Sequence, residues 1–597
     1  MLIYGDPQFQ ATTEELLAGL RYHLTRTRLD DLDSLRALMI QAGQFEQAIS
    51  DADPDQRMER SAVVITNLAA AAFYATYAKS QIKLPPSIHS ANTALAHLSQ
   101  ALQSIPHLRD KSLSVKIPEG FEFYALYPEQ HCHSALKWAT DTQVSAPNRA
   151  VLVIGIRSIG TTLSALVMVT LEAAGWNPKR ITVRPVGCSF DRTVDLPRSS
   201  LVEIKHALVV DEGPGLSGSS MAAVARSWVS AGLRHADVSF LPGHHRPPGQ
   251  AASADIHRWW AATTRYVTPL EELRWDGLAL TDSLAAKSQE LCDATQPFPH
   301  IKDLSGGLWR ESLYSDQTEY PPAAITFERL KFRCSADAGF SVFWKFTGSG
   351  ALHSPGHTCA STALHRLTER AHNGWGPQPL GLFRSFVALP WIEGRPLSEA
   401  DGRNPSVLSH IARYLADVSG PPLTASEQSA ALARVTNLLY WNIKEVFGDG
   451  LANRALAASE RIRNLRPCPT AGDGRLAPHE WMRTADGIIL KLDGAGHDLD
   501  HTLIGCQPLY WDVAGTMIEW QLSKPLCSTF LAVLEARGVS LCPEALPFFC
   551  AAYAAFRMGQ FSLCADAFTG DQAEHPRLVL ACASYRDALA EQLQNLR

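Results

Sequence analysis

The chain has 597 residues, more than one hydrophobic core supports, and 54 lysines and arginines against 60 acids leave a net charge of -6. That balance gives no basic footprint, so a dedicated nucleic-acid binder is not expected. The 12 cysteines form no CxxC pair and MLIYGDPQFQ lacks the regions of a secretory signal, which argues against a disulfide framework or structural zinc and for a reducing cytoplasm.

Residues 1–111 read as a helical region, with apolar positions at helical spacing in TEELLAGLRYHL, LDSLRALMIQAGQFEQAI and NTALAHLSQALQSI. Gln44, Glu46 and Gln47 are expected on a solvated helix face. The uncharged stretch Ser61 to Ala78 approaches spanning length, but its alanines, tyrosines and Asn67 point to a buried core helix, and no membrane is expected. SLSVKIPEGFEFYALYP then reads as strand and loop. The adjacent His131, Cys132 and His133 point in different directions and are not expected to share a metal.

A run of α/β units follows. AVLVIGI, ITVRPV, ALVVDE and DVSFLPG read as strands, and TTLSALVMVTLEAAG and SSMAAVARSWVSAG as helices between them. Such alternation predicts a parallel sheet with its ligand at the strand C-terminal ends. There lie GIRSIGT (155–161) with Arg157, RPVGCSFDR (184–192) with Arg184, and ALVVDEGPGLSGSS (207–220). The last is an apolar strand ending in Asp211 and Glu212, then a Gly/Ser turn into a helix whose unpaired N–H groups suit a phosphate. Donors for two phosphate groups thus gather at one sheet edge.

On these residues, 112–265 resembles the type I phosphoribosyltransferases. The resemblance implies that Asp211 and Glu212 hold the ribose hydroxyls of phosphoribosyl diphosphate and that Ser217, Gly218, Ser219 and Ser220 cradle its 5′-phosphate. It implies that Arg157, Ser158, Gly160, Thr161 and Arg184 take the diphosphate with Mg2+. The turn before Ser217 is one residue longer than the family spacing, and serines stand where the family has threonines.

Residues 266–322 read as a proline-bearing connector. Beyond them ITFERLKFRC and FSVFWKFTG read as antiparallel strands joined by SADAG, with Lys345 in the second. A helical TCASTALHRLTERAHNG with Glu369, a strand in FRSFVALP, and then AGDGRLAPHEWM, GIILKLDGAGHDLDH and PLYWDVAG complete the pattern. An acid in a loop, a polar ligand six residues on and an acid at the end of an apolar strand are what phosphoryl transfer needs. This order resembles the aminoglycoside phosphotransferase and choline kinase branch of the protein-kinase-like fold, over about 323–565. It implies that Lys345 pairs the phosphates of ATP, Glu369 braces it, Asp473 is catalytic, and Asp512 anchors the catalytic loop. Asp493 would hold Mg2+ with His479 or, since hard cations prefer oxygen, Glu480. The family's H-G-D reads A-G-D here and its Asn is absent. His497, Asp498, Asp500 and His501 read as a loop beside that Mg2+ site rather than a zinc centre.

The expected whole is an α/β and α+β multidomain chain: helical region 1–111, parallel-sheet phosphoribosyltransferase-like domain 112–265, connector 266–322, and bilobal kinase-like domain 323–597 with C-terminal helices. The expected function is a bifunctional phosphoribosyltransferase and small-molecule kinase acting on a nucleoside-like metabolite, with small phosphorylated molecules as partners. The departures from both family patterns keep an alternative open, a non-catalytic nucleotide-sensing regulatory protein. Neither acceptor nor the oligomeric state is legible.

Overall fold

Apart from the strands Gln8–Thr12, in the region read as helical, and His300–Asp303, in the expected connector, strand-forming and helix-forming stretches mostly fall where residue periodicity puts them, and the computed structural model describes residues 1–5, 8–52, 56–105, 112–142, 149–337, 339–350, 359–494 and 504–596. The chain divides into two units, Gln8–Lys287 with Gly348–Ala360 (the N-terminal unit) and Met1–Pro7, Ser288–Thr347 and Ser361–Arg597 (the C-terminal unit). The acids and histidines of GAGHDLDH (497–501) lie outside the described residues.

The N-terminal unit is built on a parallel sheet in the order Asn177–Val183, Ala150–Ile156, His206–Val210, Val238–Leu241, Thr264–Arg265. Alternate side chains feed opposite faces, as period two requires. Val151, Val153, Leu208 and Val210 pack with Leu163 and Val167 of the helix Ile159–Ala173. On the other face Leu152, Ile154, Ala207 and Val209 pack with Val224 and Trp228 of the helix Ser219–Ser230. Gly155 and Gly160 have a packing role here: a Cβ on Gly155 would lie 2.2 Å from the Gly160 carbonyl, and one on Gly160 2.5 Å from that of Val210. Only glycine lets the helix start this close to the strand.

The helices Leu32–Asp51 and Gln56–Tyr77 pack against Ile159–Ala173, and the strand Gln8–Thr12 pairs antiparallel with Ser112–Lys116. The solvated face expected at Gln44, Glu46 and Gln47 is therefore wrong. All three are buried. Glu46 accepts from Arg180 Nη1 at 2.9 Å, and Gln47 accepts from the Lys116 N–H at 2.8 Å. A polar run paired internally looks in sequence like a polar run facing water. Among the described residues one helix, Gln56–Ser80, is long and apolar enough to cross a bilayer, and 67% of its apolar window is buried inside the unit.

In the C-terminal unit an antiparallel sheet has the order His300–Asp303, Lys331–Ser335, Ser341–Phe346, Phe386–Pro390, Gly381–Phe383. The helix Cys359–His372 stands between its third and fourth strands in the chain. The edge strand HIKD, expected to be connector, has no apolar alternation and joins through its backbone ladder, with His300 Nε2 3.0 Å from Asp337 Oδ1. The helical part centres on Leu546–Ala567, buried on all sides, and on Glu574–Asn595 beside it. The chain's first residues belong to it: Leu2 donates its N–H to Asn442 Oδ1 at 2.6 Å and Ile3 is fully buried. A small ladder, Arg395–Pro396, Trp481–Arg483 and Ile489–Lys491, carries the acidic loops.

Candidate functional sites

In the N-terminal unit the loops singled out in the sequence meet at the C-terminal ends of the central strands. Asp211 follows the strand His206–Val210, and its carboxyl is held well above the usual range by burial and by the charge of Glu212 beside it. Glu212 Oε2 accepts the Gly120 N–H at 2.7 Å. His131 bridges the Asp211 and Leu241 carbonyls at 3.3 and 3.2 Å, while His133 bonds Tyr77 Oη at 3.0 Å, so the two histidines serve separate structural contacts. Gly218 starts the following helix with φ +60, and the Ser217 and Ser219 hydroxyls are 3.1 Å apart. Ser219 is fully buried and donates to the Ser189 carbonyl at 2.7 Å, which ties the RPVGCSFDR loop to the Gly/Ser turn.

Arg157 and Arg184 converge, but on an acid the sequence analysis passed over. Arg157 Nη1 reaches Asp51 Oδ1 at 3.1 Å, Arg184 Nε reaches the same oxygen at 3.1 Å, and Arg184 Nη2 pairs with Asp51 Oδ2. Asp51 ends the helix Leu32–Asp51. Burial works to raise its carboxyl, and bonds from Arg184 and Gln47 with the charge of Arg157 outweigh that and hold it low. Arg157 Nε is buried with no partner among the described residues. Thr161 is wholly buried with its hydroxyl unpartnered among the described residues, and Ser158 and Gly160 belong to the turn before and first turn of the helix Ile159–Ala173.

In the C-terminal unit Asp512 organises the loop at Asp473. Its carboxylate accepts three backbone N–H groups, from Gly472 at 3.0 Å, Asp473 at 3.1 Å and Gly474 at 2.8 Å. Burial, then the charge of Asp473, lifts Asp512 to about 6 against these bonds. A Cβ on Gly472 would sit 2.0 Å from the Val418 carbonyl, so the tight loop needs glycine there. Asp473 accepts from Tyr414 Oη and from the Arg475 N–H at 3.2 Å.

Lys345, on the strand Ser341–Phe346, pairs with Asp493 Oδ1; burial pushes the lysine down to about 8 against the pull of that acid. The expected brace by Glu369 is not formed. Its side chain is 63% exposed and lies 3.4 Å from His365, one turn away, because it stands on the solvent side of the helix Cys359–His372. Asp493 takes its place as the lysine's partner.

Lys491 is the residue the sequence analysis missed. Its ammonium lies 2.8 Å from Glu480 Oε2 and 3.4 Å from Asp473 Oδ2, and donates to the Asp493 carbonyl. Burial works to lower it, but the charges of Asp473, Glu480 and Asp493 raise it above the ordinary lysine value. Mg2+ at Glu480 and Asp493 does not fit these residues. Glu480 is taken by Lys491, Asp493 by Lys345, and among the described residues no group of three His, Cys, Asp or Glu is placed to hold a metal. His479 stacks on Trp309 at 5.2 Å and burial holds it neutral, down to about 4.

Beside these groups is a cavity of about 120 Å3, walled by Phe343, Leu389, Trp391, Leu492 and Trp309 with Asp493 and Glu480. The indole N–H of Trp391 has no partner among the described residues. Where a short turn would link the neighbouring strands His300–Asp303 and Lys331–Ser335, residues 304–330 intervene. They bring Trp309 to the cavity and are fixed by Arg310, which bonds both oxygens of Glu574 at 2.9 Å.

No family model matches the chain, and no curated protein matches it. Solved structures do. The choline kinase LicA of Streptococcus pneumoniae is 13% identical, with 43% of this chain and 89% of that one covered and a TM-score of 0.30. A putative aminoglycoside phosphotransferase of Ralstonia eutropha is 12% identical, with 53% and 98% covered and a TM-score of 0.34. The macrolide 2′-phosphotransferase MphH of Brachybacterium faecium is 14% identical, with 44% and 90% covered and a TM-score of 0.29. Likeness of this degree leaves function to the side chains. The chain is a mixed α/β, two-unit protein with a parallel sheet in one unit and, in the other, five antiparallel strands interrupted by one helix and followed by a helical part.

Proposed function

We propose that the C-terminal unit binds ATP in the cavity beneath its sheet, and that the N-terminal unit binds phosphoribosyl diphosphate and transfers its ribosyl phosphate. The nucleotide reading is carried by one observation: Asp493, the partner of Lys345, lines a cavity that joins flat and apolar surfaces suited to a base, Phe343, Leu389, Trp391 and Leu492, to the basic side chains Lys331, Arg475 and Arg557. Lys345 is the cation for the phosphates. Titration calorimetry of ATP against wild type and Lys345→Met tests it. Binding that weakens about tenfold or more in the variant is expected, and no ATP binding to wild type contradicts it.

In the N-terminal unit Arg157 and Arg184 form a two-guanidinium cradle of the kind that takes diphosphates, and the unpartnered Arg157 Nε supplies a further donor. Asp211 and Glu212 offer oxygen acceptors to ribose hydroxyls, and hard donors to the Mg2+ that accompanies a diphosphate. In the proposed reaction an acceptor bonds to the sugar C1 as the C1–O bond to the diphosphate breaks. The diphosphate leaves with the bonding pair. Consumption of labelled phosphoribosyl diphosphate, lost in Asp211→Asn, is expected; no binding by wild type sinks this half.

A second reading, phosphoryl transfer to a small-molecule hydroxyl, is favoured by the Asp512 clamp, which keeps the Asp473 loop in a formed shape. Against it stand Tyr414 and Lys491, which already engage the carboxylate that would accept the hydroxyl proton. ADP formation on a panel of small alcohols separates it from binding without turnover.

A further inference from the structure

Lys491 stands where a kinase-like unit would be expected to carry a divalent cation. Its side chain is 1% exposed, and the groups around it are those the sequence assigned to catalysis and metal: Asp473, Glu480 and the backbone carbonyl of Asp493. The second lysine, Lys345, takes the Asp493 carboxylate. Two ammonium groups, with the Arg475 guanidinium 4.0 Å from Glu480, thus answer three carboxylates.

Displacing this arrangement with a metal is costly in two ways. The ammonium would have to leave a place where it is bonded and buried, and Mg2+ gives up its own water reluctantly. Retracting Lys491 is also obstructed, since it lies on the short ladder Trp481–Arg483 and Ile489–Lys491, with the Trp481 ring 6.0 Å from its ammonium.

We propose that Lys491 is a built-in replacement for the divalent cation, so that the C-terminal unit takes its nucleotide without metal. The inference rests on the nucleotide reading above and adds to it what the site uses in place of Mg2+. In this arrangement Lys345 and Lys491, with Arg475 4.0 Å from Glu480, offset the three carboxylates that would otherwise repel the nucleotide phosphates.

The test is titration calorimetry of the full chain with ATP in excess EDTA and in excess MgCl2, with Lys345→Met identifying the heat that belongs to this unit. Wild type is expected to bind ATP with affinities within about threefold in the two buffers. In Lys491→Met, three carboxylates face the phosphates with one lysine fewer, so affinity in EDTA is expected to fall about tenfold or more and to be recovered by MgCl2. Lys491→Arg, which keeps a cation, is expected to remain insensitive to EDTA. Wild-type binding lost in EDTA and restored by MgCl2 overturns the inference and leaves the nucleotide reading standing. Absence of ATP binding in both buffers overturns the nucleotide reading itself. The wild-type comparison decides the matter even where Lys491→Met does not fold.

Discussion

The two sites carry opposite charges and are closed by opposite means. In the N-terminal unit two arginines rest on one carboxylate of their own chain, Asp51; in the C-terminal unit three carboxylates rest on two lysines of theirs. The difference lies in burial. Asp51 is 22% exposed, and a partly exposed ion pair is worth on the order of 1 kcal/mol, which a diphosphate with several charges can outcompete. Lys491 is 1% exposed, and removing one partner of such a buried pair costs about 3–5 kcal/mol. An internal counter-ion near the surface leaves a site available to a ligand; a buried one becomes part of the site.

The comparison breaks most readily at Asp512. Asp512→Ala leaves three backbone N–H groups without their acceptor in a buried loop and is expected to destabilise the C-terminal unit by about 3–5 kcal/mol, with loss of ATP binding and an unchanged response to phosphoribosyl diphosphate. Denaturant unfolding followed with each ligand checks both halves of that statement.

Acid should affect both units. Burial holds His131 in one and His479 in the other down at about 4, against 6.5 in the unfolded chain. Between those values the unfolded chain binds more protons, so stability is full above pH 6.5 and falls as pH drops toward about 4, by up to about 3 kcal/mol per histidine. Urea midpoints read across that range, repeated with His131→Gln, would show a shallower fall in the variant.

Asp51→Ala sharpens the comparison directly. Freed arginines are expected to bind inorganic pyrophosphate about tenfold more tightly, measured by calorimetry, for a loss of about 1 kcal/mol in stability. Weaker binding would mean that Asp51 positions the arginines instead of competing for them. The smallest effect belongs to Glu369→Ala, expected to leave ATP affinity and stability within about 0.5 kcal/mol, since this exposed acid does not reach Lys345.

Sequence reading found what periodicity and loop chemistry carry. The parallel strands, the pairing of Lys331–Ser335 with Ser341–Phe346, and the meeting of Arg157 with Arg184 all follow from local patterns. It missed what depends on partners distant in the chain. Glu46 looked solvated because Arg180 lies 134 residues away, and Asp51 sits in a helical region with no chemical motif. HIKD was invisible as a strand, since it lacks apolar alternation and is placed by its backbone ladder and a His300–Asp337 contact 37 residues apart. Lys491 was missed for the same reason: it ends the strand Ile489–Lys491, while its carboxylate partners Asp473 and Glu480 stand on other segments.

One crystal structure with phosphoribosyl diphosphate and ATP, grown with MgCl2, tests the central claim most directly. The account predicts that Arg157 and Arg184 turn from Asp51 to the diphosphate, while Lys491 keeps its bonds to Glu480 and the Asp493 carbonyl beside the bound nucleotide. Arginines still on Asp51, or Lys491 swung out of the acidic cluster, would contradict it.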